Sequence, residues 1–141
     1  MIFTNVQPIL AKLKALITTP VTALLPLVTI STDEPLNFVT SDLPLLNIYP
    51  IKEDFIFDES TSGEDKKHLS IRIEIRMAGA PSSTLCTPVM NAICAAIRAN
   101  LRLDGLVVYT ELQTLQWAND STSSGSLSGM SLDLEVQYFV S

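Results

Sequence analysis

The stretch His68 to Met77, "HLSIRIEIRM", decides the fold of this 141-residue chain. Its apolar residues occupy every second position, and serine, arginine and glutamate stand between them. A period of two is typical of a β-strand that buries one face and exposes the other. The apolar set is Leu69, Ile71, Ile73, Ile75 and Met77.

Outward from this strand, further segments have the pattern or the composition of strands. "MSLDLEVQYFV" places Met130, Leu132, Leu134, Val136 and Tyr138 on one face, and "DGLVVYTELQTLQW" precedes it in the chain. Upstream, Leu45 to Tyr49 predicts a strand that ends at Pro50, because proline cannot donate a hydrogen bond to a ladder. A short strand is also possible from Leu27 to Ile30.

Two segments predict helices. The first has Val6, Ile9, Leu10, Leu13, Leu16 and Ile17 at helical spacing, with Pro8 in its first turn. The second runs from about Thr84 or Thr87 to Ala99, with Pro88 near its start. The order is helix, strands, helix, strands, without βαβ alternation. It predicts one α+β domain, residues 1–141, with a mostly antiparallel or mixed sheet of about four to five strands and two helices packed on it.

Composition excludes several classes of protein. A net charge of −6 and a pI near 4.6 argue against a protein that binds nucleic acid. Cys86 and Cys94 lie in one predicted helix, too far apart to bridge, which favours a reducing compartment. The start of the chain is not typical of a signal peptide, and the apolar stretch "VTALLPLVTI" is too short for a membrane span.

The sequence predicts no catalytic, cofactor or metal site. His68 is the only histidine in the sequence. Because it follows Lys66 and Lys67 at the start of a predicted strand, we interpret it as a solvated edge residue. An enzyme would need a pocket around His68 with acidic partners, which the sequence does not supply. The cysteines lack zinc spacing, "GSLSG" lacks a phosphate-loop context, and the acids after Asp54 lack the spacing of a calcium loop.

The polar segment from Lys52 to Lys67 is the candidate interface. It has six acidic residues and three lysines, yet it retains aromatic residues that a solvated loop does not need. We interpret it as an arm that contacts another subunit or another protein; the alternative is a solvated hairpin loop with one phenylalanine packed into its own core. A second polar segment, Ala118 to Gly129, predicts a mobile hairpin connection rich in serine and glycine. The candidate interface residues are Lys52, Glu53, Asp54, Phe55, Phe57, Asp58, Glu59, Glu64 and Asp65.

The order of these signatures resembles the tail terminator proteins of long-tailed bacteriophages. The resemblance covers about Thr4 to Val140 and rests on an N-terminal helix, "PLLNIYP" followed by "IKE", "LSIRIEIRM", a mid-chain helix, "LDGLVVYTELQTLQW" and "MSLDLEVQYFV". The chain departs from the family in its mid-chain helix: "TPVMNAICAAIRAN" has no acidic residue, so a role for that charge does not carry over.

The resemblance implies a non-enzymatic virion protein that forms a ring, usually a hexamer, on the last ring of the tail tube. Such a ring stops tube growth and presents the surface to which the DNA-filled head docks. Its partners would be copies of itself, the tail-tube protein and a head–tail connector protein, while DNA passes through an acidic lumen without specific binding. It would be in the host cytoplasm during assembly and at the head-proximal end of the tail afterwards, with no membrane partner. The alternative is a head–tail connector or adaptor subunit, which binds the portal instead of the tail tube.

Overall fold

The computed structural model describes residues 6–32, 43–61, 64–79, 84, 86–122 and 125–140. In this part of the chain two α-helices accompany a five-stranded sheet, which confirms the predicted α+β class. The elements, in chain order, are α1 (Val6–Leu24), β1 (Thr29–Ser31), β2 (Leu45–Thr61), β3 (Glu64–Ala78), α2 (Thr87–Arg98), a 3-10 turn (Leu103–Gly105), β4 (Tyr109–Thr122) and β5 (Gly125–Val140).

The strands lie in the order β1, β2, β3, β5, β4. β1 is parallel to β2, and the other three neighbouring pairs are antiparallel, so the sheet is mixed. β3 is central and pairs with β5 from Asp65, opposite Val140, to Ala78, opposite Leu127. The strand with the clearest alternation in the sequence is therefore the strand that holds both halves of the sheet together.

One face of the sheet is apolar and lies under both helices. Ile71, Ile73 and Ile75 are fully buried, as the alternation of β3 predicts. Burying a side chain of this size stabilises a fold by about 1.5–3 kcal/mol. The other strands and the helices add to the same core, whose largest fully buried members include Tyr138, Ile9, Leu10, Leu13, Ile17, Leu46, Ile48, Leu69 and Met90.

The first helix is longer than its sequence pattern predicts, because α1 continues through Pro20 to Leu24. Proline in a helix removes one backbone donor, but Val21 follows directly and is fully buried in the core. The hydroxyl groups of Thr18 and Thr22 donate to carbonyl oxygens four residues earlier, at 2.6 and 2.8 Å. Packing of the last turn therefore outweighs the proline penalty.

The second helix keeps its predicted place and its predicted apolar face. It begins at Thr87, with Pro88 in its first turn, and buries Val89, Met90, Ile93, Cys94 and Ile97. Cys86 precedes the helix at the N-cap position instead of lying inside it. Both cysteines are free, as the sequence predicted, and both are buried, which raises the pKa of their thiols.

Pro50 does not end β2, contrary to the sequence prediction. The strand continues to Thr61, with a bulge between Pro50 and Lys52. Proline is tolerated at bulges and in strands with one free edge, and β1 pairs with β2 only as far as Asn47. The described part of the segment from Lys52 to Lys67 is consequently a pair of strands, where the sequence predicted an arm or a hairpin loop.

β4 and β5 extend further into the polar segment from Ala118 to Gly129 than the sequence predicted. β4 extends to Thr122 and β5 starts at Gly125, so most of the predicted connection belongs to paired strands. Backbone ladders need no apolar side chains, which is why a polar composition concealed them. Ser128 is itself buried and lies 3.9 Å from the Cys86 thiol.

A turn with left-handed backbone conformation joins α2 to β4. Leu103, Asp104 and Gly105 have φ angles of 48°, 57° and 91°. The Asp104 carboxylate accepts a hydrogen bond from Asn100 at 3.0 Å and forms an ion pair with Lys12 of α1. The side chain of Asp104 thus connects this turn to the first helix.

Candidate interface

The predicted interface residues lie on the hairpin formed by β2 and β3, and those with described side chains are divided between its two faces. Glu53 is opposite Leu69 and Phe55 is opposite Lys67, whereas Asp54 is opposite His68. Because side chains alternate across a strand, Glu53 and Phe55 share the face of the buried Leu69. Lys52 and Asp54 share the open face.

Glu53 is held by groups of its own chain. The Tyr138 hydroxyl donates a hydrogen bond to Glu53 Oε1, and Lys67 Nζ lies 3.2 Å from the same oxygen. Burial and this hydrogen bond raise the pKa of Tyr138. Lys67 also lies over the Phe55 ring, 4.7 Å from its centroid. Glu53 therefore helps to stabilise the hairpin, which the sequence alone did not indicate.

Phe55 remains accessible in this arrangement, with half of its side chain exposed. A cation near an aromatic face contributes about 0.5–1 kcal/mol at an exposed site, so Lys67 fixes the ring without covering it. Lys52 and Asp54 are more than half exposed and lie 3.5 Å apart. Lys52, Asp54 and Phe55 are thus accessible candidates among the predicted set.

The remaining candidates have a described backbone only. Phe57, Asp58 and Glu59 belong to β2, and Glu64 and Asp65 belong to β3. Their side chains lie outside the described residues, so their role in an interface remains a prediction.

The open face of the sheet carries a polar network that sequence reasoning missed. Arg72 binds Asp133 across β3 and β5, and the Tyr49 hydroxyl donates to Glu74 at 2.7 Å. Burial and this hydrogen bond raise the pKa of Tyr49 to about 12. Arg76 pairs with the other oxygen of Glu74. The polar positions of "SIRIEIR" indicate such a face, but Tyr49 and Asp133, which bind there from the neighbouring strands, are 25 and 61 residues away in the sequence.

A shallow cavity of about 330 Å³ lies on this network. Arg72, Glu74, Arg76, Gln116 and Ser131 are among the residues that line it. Within the lining Arg76 pairs with Glu74, and Arg72 pairs with Asp133 beside the cavity, so each of these charges has a partner of opposite sign. A second cavity, about 320 Å³, is apolar and lies between the Leu25–Leu27 turn and Met77.

His68 is not an edge residue, contrary to the sequence interpretation. It is the fifth residue of the central strand β3 and stands between Asp54 and Gln137 on the open face. Neither of the two cavities is lined by His68.

The described residues include no group of three or more histidine, cysteine, aspartate or glutamate side chains arranged to hold a metal ion. No helix among them combines the length and the apolar character needed to cross a membrane.

Comparisons with known proteins find similarity only among solved structures. No family model matches the chain, and no curated protein matches it. A chain in a solved structure entitled "Virion of native gene transfer agent (GTA) particle" is 15% identical, with a TM-score of 0.41. The similarity covers 89% of this chain and 82% of that one. At this level of similarity the function has to be argued from the residues of the chain itself.

Proposed function

We propose that this chain is a structural protein of a bacteriophage virion that forms a ring, of six copies, at the head-proximal end of the tail tube. The ring stops polymerisation of the tube protein and provides the surface to which the head docks. No substrate is turned over. The chain assembles in the host cytoplasm and then remains in the virion.

The observation that carries the proposal is the order of elements. The sequence blocks that resemble tail terminators fall in turn on α1, β2, β3, α2, β4 and β5. Such a correspondence supports a shared architecture, although the function must be tested separately because one fold serves many functions.

The accessible end of the hairpin suits contact with the tail tube. Phe55 presents half of its ring beside Lys67, and Lys52 and Asp54 add charges of both signs on the opposite face. Truncation of an aromatic anchor in a protein interface costs about 2 kcal/mol or more, so Phe55 is the residue of this hairpin with the largest expected contribution.

The charge of the chain suits a ring through which DNA passes. The net charge is −6, and Glu111 and Glu135 lie on the open face of β4 and β5. Like charge repels phosphate, so DNA would pass without being retained. The proposal therefore includes a lumen that does not bind DNA.

A phage that lacks the gene for this chain provides the test. We expect overlong tails that do not join heads, and complementation with the wild-type gene restores tail length. A head–tail connector predicts a different result, namely tails of normal length beside filled heads that remain unjoined. Normal, infectious particles without the gene would contradict both functions.

A further inference from the structure

Trp117, the only tryptophan of the chain, is 54% exposed on β4, an outer strand of the sheet. Its register partner Met130 is buried in the core, and its indole nitrogen lies 3.5 Å from the Thr87 hydroxyl at the start of α2. Trp117 therefore lies on the helix side of the sheet, as does the exposed Leu115 two residues earlier. Tryptophan is enriched among the residues that dominate the binding energy of protein interfaces.

The apolar cavity lies on the other side of the sheet, beside β1. Its volume is about 320 Å³, and every described residue that lines it is leucine, proline, methionine or alanine. Pro44, one of these residues, accepts a hydrogen bond from the Thr29 N–H at the start of β1, at 3.1 Å. Leu27 is 86% exposed at the cavity, and Met77 packs against the core beneath the helices. Cavities of this size hold bulky apolar groups, so this one offers room for a large side chain on the helix side.

Trp117 and the apolar cavity lie at about the same height along the strands. One register row crosses all five strands through Ile30, Leu46, Ile75, Met130 and Trp117. Pro44 and Met77, at the cavity, are each two residues beyond this row, or about 7 Å along the strand direction. In a cyclic ring whose axis follows the strands, every copy keeps its height, so two features of neighbouring copies can meet only if their heights agree.

The two surfaces also agree in polarity. Residues 113–119 of β4 include no charged residue, and neither does the described lining of the cavity. The centres of protein interfaces are depleted of charged residues and enriched in aromatic ones. A contact between Trp117 and the cavity would therefore bury apolar groups without burying a charge from either side.

We propose that Trp117 of one copy of this chain docks into the apolar cavity of the next copy. Because Trp117 and the cavity lie on opposite sides of one sheet, each copy provides one tryptophan and receives another. This is a heterologous contact, the kind that closes a ring when its rotation allows. The inference rests on the proposed ring and identifies a contact between its neighbouring copies.

Two substitutions remove this contact from its two sides. Trp117→Ser removes the aromatic side chain, and Ala78→Arg places a charge at the cavity, where Ala78 is exposed. We expect each to weaken association of the copies at least about tenfold. The matched controls are Tyr109→Ser, an exposed aromatic residue at the start of β4, and Ala11→Arg, an exposed alanine of α1. Both controls should associate like the wild type, and thermal unfolding shows which variants keep the fold.

A mixture of the two variants tests the direction of the contact. The Ala78→Arg variant retains Trp117, and the Trp117→Ser variant retains the cavity, so one contact between them is intact. We expect sedimentation of the mixture to show pairs and no closed ring, at a concentration where each variant alone is monomeric. A mixture that does not pair, under conditions in which the wild type associates, would contradict the contact.

The fluorescence of Trp117 reports on the contact directly, because the chain has no other tryptophan. When the wild type associates in solution, its emission should shift to shorter wavelengths as the indole leaves water, and Ala78→Arg should abolish the shift at the same concentration. If the wild type associates, in solution or on tail tubes, and both variants associate equally well, the tryptophan contact is overturned and the ring stands. Absence of any wild-type association, in solution and on tubes, overturns the ring and the contact together.

Discussion

Arg72 of β3 holds Asp133 of β5 through two parallel hydrogen bonds, from Nε to Oδ1 at 2.8 Å and from the guanidinium to Oδ2 at 3.2 Å. The two residues are register partners on the open face of the sheet. Their side chains are 36% and 24% exposed, so water screens the pair only in part. This contact ties β3 and β5 together on the face opposite the two described helices.

Removal of either partner should weaken the fold measurably. We expect Arg72→Met and Asp133→Asn each to lower the free energy of unfolding by about 1 kcal/mol, with the double variant losing less than the sum. Urea denaturation measures all three. Lys52→Met is the control, because Lys52 and Asp54 are mostly exposed and 3.5 Å apart, and it should change little. Additive losses would show that the two groups do not act on each other.

The pKa of Tyr49 predicts a loss of stability at high pH. Its folded value is about 12, whereas an unfolded tyrosine titrates near 10, so the folded state favours the protonated phenol. This contribution is complete below pH 10 and is lost as the pH rises from about 10 to about 12. Burial raises the pKa of Tyr138 as well, which acts in the same direction. Tyr49→Phe should therefore give a shallower decline of unfolding free energy across this range, and an unchanged decline would contradict the assignment.

Gly105 should be sensitive to substitution despite the space around it. A Cβ atom at this position would meet no atom within 4 Å, but the φ angle of 91° is one that other residues rarely adopt. We expect Gly105→Ala to cost about 1 kcal/mol of unfolding free energy, from backbone strain alone. Gly105→Asn, which tolerates left-handed conformations better, should cost less. Equal stability of the alanine variant and the wild type would show that the turn relaxes.

The sheet core could be predicted from the sequence because burial on one side imposes a period of two. Ile71, Ile73 and Leu134 are buried as their spacing indicates. Strand ends could not be predicted in the same way. The sequence predicts that Pro50 ends the strand, but the proline is accommodated beside a bulge, beyond the last residue of β2 that pairs with β1.

The candidate site was harder to predict, because its contacts depend on register. Arg72 and Asp133 are 61 residues apart, and nothing local identifies them as partners. Glu53 was predicted as an interface residue, but Tyr138, 85 residues away, binds it within the chain. Phe55 was selected for its aromatic character in a polar segment, and it is indeed half exposed.

Substitution of the two hairpin phenylalanines, Phe55 and Phe57, tests whether they belong to a contact surface or to the core of the subunit. We expect Phe55→Ser with Phe57→Ser to leave the thermal stability of the monomer nearly unchanged, because Phe55 is half exposed, while tails become overlong and fail to join heads. Tyr109→Ser is the matched control, an exposed aromatic residue outside the hairpin. Unfolding of the double variant would place the phenylalanines in the core, and normal tails would remove the hairpin from the mechanism.

Electron microscopy of tail tubes, assembled from the tube protein of the same virus with and without this chain, tests the central claim most directly. With the chain present, we predict that tube growth stops and that one end of each tube carries a closed ring of its copies, six in number. Tubes that grow to the same lengths in both preparations, with no added density at either end, would contradict the proposed function.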